Sequence, residues 1–106
     1  MRRWLLAALL LPGVAGAAAP DGRQIVLHGN GSGALPCAAC HGVDGGGKAA
    51  MGAPALAGLP ALQIENDLAA FAKGKGGNAI MQSIAKSLTP AQAQAVAAYF
   101  SSLKPT

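Results

Sequence analysis

Aromatic side chains are scarce in this chain, with only Trp4, Phe71, Tyr99 and Phe100 among 106 residues. So are acids, with four Asp and Glu, and there are only two cysteines and two histidines. Two cysteines separated by two residues cannot frame a multi-disulfide scaffold. Nor do they match the two separated pairs that usually build a zinc site. No pairing of residues supplies an activated nucleophile or an acid–base couple. No sequence repeat and no run of alternating β-branched residues is present, which argues against a solenoid or a sheet. Leu5 to Leu11 form an apolar run, far short of the roughly 20 residues that span a bilayer as a helix.

That apolar run has a different explanation. Arg2 and Arg3 precede it, and Pro12-Gly13 and small residues up to Ala19 follow it. Positive charge, a compact apolar stretch and a small-residue exit form the pattern of a secretory signal peptide. Residues 1–19 are therefore expected to be a signal, cleaved after Ala17 or Ala19, with one functional domain over residues 20–106. Export places that domain in the periplasm. The full chain carries 8 Lys and Arg against 4 Asp and Glu. Losing Arg2 and Arg3 leaves 6 against 4, a net charge of +2. The basic balance is thus largely a targeting feature and gives no case for a nucleic-acid partner.

The remaining 87 residues form a small domain with few large side chains for a core. Such a chain buries only about 60–65% of its unfolded surface, and domains of this size usually need a covalent or cofactor staple. The readable elements are helical. Asp21 to His28 is a short amphipathic stretch with Asp21 as cap and Gly29 as stop. Cys37 to Gly42 fits one helical turn. Between Gly45 and Pro54 the glycines mark a long loop. From Pro60 to Lys73, Leu62, Leu68 and Phe71 recur near helical spacing, and Gly74 suits the end. Ile80, Ile84 and Leu88 follow at i, i+4, i+8. The last helix opens on Thr89-Pro90-Ala91-Gln92, a capping box with Pro at its first position. Val96, Tyr99, Phe100 and Leu103 then make its apolar stripe. An all-α domain of about four short helices and long loops is expected.

The chemistry concentrates at Cys37-Ala38-Ala39-Cys40-His41. On one helical turn Cys37, Cys40 and His41 project from one face. Two thiols can then add to two vinyl groups along one haem edge while the adjacent imidazole reaches the iron. C-x-x-C-H is the signature of that attachment. A disulfide across so short a loop would constrain little of the unfolded chain. A thioredoxin-like pair would need a βαβ unit. A zinc site would have to recruit His28 together with His41, and His41 directly beside Cys40 fits that poorly.

For a second axial ligand the candidates are Met51, Met81 and His28. Chain reach excludes none, since ten residues extend to about 33 Å. If the Pro54 carbonyl accepts the His41 imidazole N–H, Pro54 lies on the proximal side. Met51, three residues earlier, would have to round the haem edge in roughly 10 Å of chain. Met81, beyond a whole helix, has ample chain to wrap the distal side and is favoured.

These residues resemble a known family, the small soluble monohaem class I cytochromes c of bacteria. The likeness runs from about Gly22 to Leu103. It is carried by Cys37-Ala-Ala-Cys-His41-Gly42, Pro54-Ala-Leu56-Ala-Gly58, Phe71-Ala-Lys-Gly74, Met81-Gln-Ser-Ile84-Ala and Ala97-Ala-Tyr99-Phe100. A glycine-rich stretch, Gly29 to Gly33, departs from the pattern. The resemblance implies a cytochrome c fold wrapped around one covalently bound haem c per chain. It makes Cys37 and Cys40 the thioether positions, His41 the proximal and Met81 the distal iron ligand, and Pro54 the residue that orients His41. Tyr99 would meet the first helix near Gly29. The function implied is one-electron carriage in the periplasm, without catalysis, by a monomer. Its partners would be redox proteins, and it would meet the membrane only transiently, through membrane-bound redox complexes. The alternative is a haem c electron-transfer subunit of a periplasmic dehydrogenase or oxidase complex.

Overall fold

The computed structural model describes residues 19–106, so the expected signal segment, Ala19 apart, lies outside the described residues. Its elements follow from local chain chemistry. Helix α1 (Gly22–His28) starts where the Asp21 side chain accepts the Gln24 N–H, and it stops at Gly29. Helix α2 (Ala38–His41) is the single turn of the cysteine motif. A 3-10 turn, Ala49–Met51, punctuates the loop that follows. Helix α3 (Ala61–Ala72) ends with the Gly74 amide donating to the Phe71 carbonyl and the Lys75 amide to the Ala70 carbonyl. That pair of bonds is a Schellman closure. Helix α4 (Ala79–Lys86) is capped by Asn78. Helix α5 (Pro90–Ser102) carries the full Thr89–Gln92 capping box with Pro90 at its start, a cap whose loss would cost about 1 kcal/mol. The described residues contain no strand, only an isolated bridge between Lys48 and Ala53. No helix among them is long and apolar enough to cross a membrane.

One small core joins α1, α3, α4 and α5. Ile25, Val26, Ile64, Leu68, Ala85, Val96, Ala97 and Phe100 are buried together. Phe100 and Val26 are the largest side chains with almost no exposure, and burying a side chain of this class is worth about 1.5–3 kcal/mol.

Three expectations change against this frame. Leu62 is 67% exposed, and the buried face of α3 is instead Ile64 and Leu68 at i, i+4. A helix with alanines on several sides offers more than one apolar stripe, and the neighbours select among them. Helix α4 ends at Lys86, so Leu88 packs on the core from the turn beyond it. The α1–α5 crossing is centred at Gly22, not Gly29. A side chain at Gly22 would run into the Ala95 carbonyl and lie 3.2 Å from Tyr99 Cβ. The absent side chain is what lets the two backbones approach.

Candidate functional site

The α2 turn projects Cys37, Cys40 and His41 into one cleft, as their spacing requires. The far wall comes from α3 and α4 through Ile64, Leu68, Met81 and Ile84, and the floor from Val96 and Phe100 of α5. Two adjoining cavities of about 150 and 340 Å³ share His41, Pro54, Leu56, Leu68 and Met81. Together they have the size of a ligand pocket, roughly 300–1,000 Å³. The lining is apolar but for His41, the two thiols, Asn78 and, at one end, Asp67.

His41 is 5% exposed, the one buried polar side chain of the described residues. Its Nδ1 lies 2.9 Å from the Pro54 carbonyl oxygen. A carbonyl can only accept, so Nδ1 carries a proton, and in the neutral imidazole that leaves the lone pair on Nε2. The Phe100 ring meets the imidazole edge-on, with centroids 6.4 Å apart and planes at 62°. A buried imidazole with fixed orientation and a free nitrogen is what a metal centre asks of a ligand.

The loop behind Pro54 is built to hold that carbonyl. The Gly47 amide donates to the His41 carbonyl at 2.8 Å, and the Lys48 amide donates to the Ala53 carbonyl at 2.9 Å. The chain thus doubles back and lays Ala53–Ala55 across Gly47, where an added Cβ would lie 2.7 Å from the Ala53 oxygen and the Ala55 nitrogen.

Cys37 and Cys40 are free thiols. Burial pushes the Cys37 thiol up to about 11, only partly offset by a backbone hydrogen bond. Its thiolate is disfavoured at neutral pH, unlike the activated cysteines of redox enzymes.

Of the distal candidates, Met81 and Met51 both line the cleft. Met81 is half-buried on α4 and packs against the core, whereas Met51 is 54% exposed. His28 is exposed and lies outside the cleft lining. Ile80 is 59% exposed yet lines the same cleft.

Two asparagines escaped the sequence reading. Asn78 lines the cleft, and its Oδ1 accepts the Met81 amide at 2.8 Å. Its place just after Gly76-Gly77 and before an apolar run was the available signal. Asn30 ties the glycine-rich loop to the α4–α5 junction. Its amide donates to the Ser87 carbonyl at 2.7 Å and to Gln92 Oε1 at 3.0 Å. Its oxygen accepts the Ser32 and Ala34 amides. No local pattern announces partners about sixty residues away. The glycine-rich departure is therefore an ordered strap, and Gly33 passes so close to Ser87 that a Cβ there would lie 2.8 Å from its hydroxyl.

These residues fit a haem. A largely apolar cleft brings together two thiols, an oriented imidazole and a thioether on its lining. Comparison with known proteins agrees. A family model described as Cytochrome c matches residues 28–104. The thiosulfate dehydrogenase electron acceptor of Stutzerimonas stutzeri is 45% identical over 94 residues, covering 88% of this chain and 43% of that protein. Its counterpart from Thiomonas intermedia is 48% identical over 73 residues, covering 69% and 34%. The solved structure of Acidithiobacillus ferrooxidans cytochrome c4 superposes with a TM-score of 0.72 at 40% identity, covering 77% of this chain and 48% of that one. The chain thus spans less than half the length of these relatives. The match of the family model over most of the chain, and the haem-attachment spacing inside it, place this haem c-binding chain in the cytochrome c family.

Proposed function

We propose that the chain is an exported one-electron carrier with one haem c closed at both axial positions. Cys37 and Cys40 would hold the group through thioethers, His41 through Nε2 on the proximal side and Met81 through sulfur on the distal side. Bound there, the haem supplies a centre that gains or loses one electron without a change of ligands. The chain's own residues set its properties. The Pro54 carbonyl keeps the His41 proton on Nδ1 and strengthens imidazole donation. Phe100, Leu68 and Ile84 keep water from the cleft and favour the less charged reduced state. A thioether ligand raises the potential further. With both axial positions filled and no acid–base pair beside them, the chain binds no substrate and performs no bond chemistry. The observation that carries this reading is the buried His41, tied to Pro54 inside a cleft shared by both cysteines and Met81.

Residues 1–19 act in this reading as a signal removed after Ala17 or Ala19, which puts the folded domain in the periplasm as a monomer. The donor would be a periplasmic oxidoreductase. The names of two relatives point to a thiosulfate dehydrogenase as one such donor. They equally support the second reading, a tightly held electron-transfer subunit of a dehydrogenase complex. Co-purification of a second polypeptide with the exported protein would favour the subunit over the free carrier.

Replacement of the two methionines tests the core of the proposal. Met81→Ala should abolish the ferric sulfur-to-iron charge-transfer band and lower the potential markedly, while Met51→Ala keeps both. The reverse outcome would give the ligand role to Met51.

A further inference from the structure

The Met81 amide falls in the first turn of α4, where a helix has no internal partner for its N–H groups. The partner is Asn78, whose Oδ1 accepts that amide at 2.8 Å. Asn78 and His41 are the two polar side chains that line both cavities of the cleft, and Met81 lines both beside them.

Asn78 is itself held from behind. Gly76 and Gly77 run against the Phe71 ring, so closely that a Cβ at Gly77 would lie 3.0 Å from two ring carbons. The Gln82 side chain reaches back and donates to the Gly76 carbonyl at 3.0 Å. A braced loop therefore hands a fixed oxygen to the backbone of the one residue on α4 that carries a cleft-facing sulfur.

We infer that Asn78 is a positioning residue for Met81: by anchoring its amide it fixes how far the thioether reaches into the cleft, and so how firmly the distal position stays closed. The inference rests on the reading of Met81 as distal ligand. A cap that merely stabilised α4 would raise the stability of the fold without changing the competition for the distal position. A positioning cap changes that competition directly.

Imidazole, titrated into the ferric holoprotein, competes with Met81 for the distal position, and the sulfur-to-iron band reports the exchange. Asn78→Ala removes the oxygen and should tighten apparent imidazole binding about fivefold, the factor that corresponds to loss of one helix cap. Asn78→Ser keeps a capping oxygen and should restore binding to about the wild-type value. Thr89→Ala removes the equivalent cap of α5, at a residue that lines neither cavity of the cleft. It should lower the denaturation midpoint comparably while leaving imidazole binding unchanged. If Asn78→Ala binds imidazole as the wild type does, or Thr89→Ala tightens it as much, the positioning role is overturned while Met81 ligation stands. If Met81→Ala retains the band and the wild-type imidazole affinity, ligation by Met81 and the role of Asn78 fall together.

Discussion

Gly47→Ala is the substitution that most directly attacks the support of the proximal histidine. Gly47 has φ +81°, and its Cβ would lie 2.7 Å from the Ala53 oxygen, 2.7 Å from the Ala55 nitrogen and 2.8 Å from the Pro54 carbonyl carbon. All three are backbone atoms, so no rotamer change relieves the clash. The left-handed conformation costs an L-residue about 1–2 kcal/mol. Displacing Ala53–Ala55 also withdraws the Pro54 carbonyl from a buried imidazole N–H, a loss of roughly 1–3 kcal/mol. Gly31→Ala separates the two effects, because Gly31 has φ +73° and nothing within 4 Å of its Cβ. It carries the conformational cost alone. Urea unfolding of the two holoproteins should therefore place the Gly47→Ala midpoint about 1 M below that of Gly31→Ala. A weakened Nδ1–H bond makes the imidazole a poorer donor. The reduction potential should accordingly rise in Gly47→Ala and stay unchanged in Gly31→Ala. Equal midpoints and equal potentials for the two variants would refute the claim that Gly47 seats Pro54.

Asn30→Ala removes four hydrogen bonds, three of them part-buried, and should lower unfolding stability by about 2–3 kcal/mol. A change within about 0.5 kcal/mol would show that the strap does not hold the α4–α5 junction. Cys40→Ala leaves at most one thioether, so the protein should accumulate poorly and show a shifted haem spectrum. Normal maturation with undiminished covalent haem would contradict the attachment assignment. In the cofactor-free chain, raising the Cys37 thiol from 9.0 to about 11 lowers its thiolate fraction at pH 8 roughly a hundredfold. Alkylation of Cys37 should be slower by about that factor than in denaturant and should accelerate as pH rises towards 11. Equal rates would place the thiol in water.

The sequence signalled most strongly where the chemistry is local. Thr89, Pro90 and Gln92 specify the start of α5 within four residues, and the structure places the capping box there. Cys37, Cys40 and His41 meet in one cleft because i, i+3, i+4 geometry leaves little choice. Pro54 sits on His41 Nδ1 across thirteen residues, a contact legible through family resemblance and not through spacing. What stayed hidden depends on distant packing. Leu62 and Ile64 are equally apolar, and only the presence of α4 and α5 buries Ile64 and leaves Leu62 in solvent. The α1–α5 crossing lies at Gly22 because Ala95 faces it, a choice no window over α1 could reveal. Asn30 reads as a turn residue until Ser87 and Gln92 fold against it.

The central claim is a covalent haem closed by His41 and Met81 and cycling by one electron. A potentiometric titration of the exported protein, followed by absorbance, tests it most directly. A single one-electron wave is expected, with a sulfur-to-iron charge-transfer band present in the oxidised state and lost on reduction. A haem spectrum without that band, with the ferrous form binding carbon monoxide readily at neutral pH, would contradict the closed carrier.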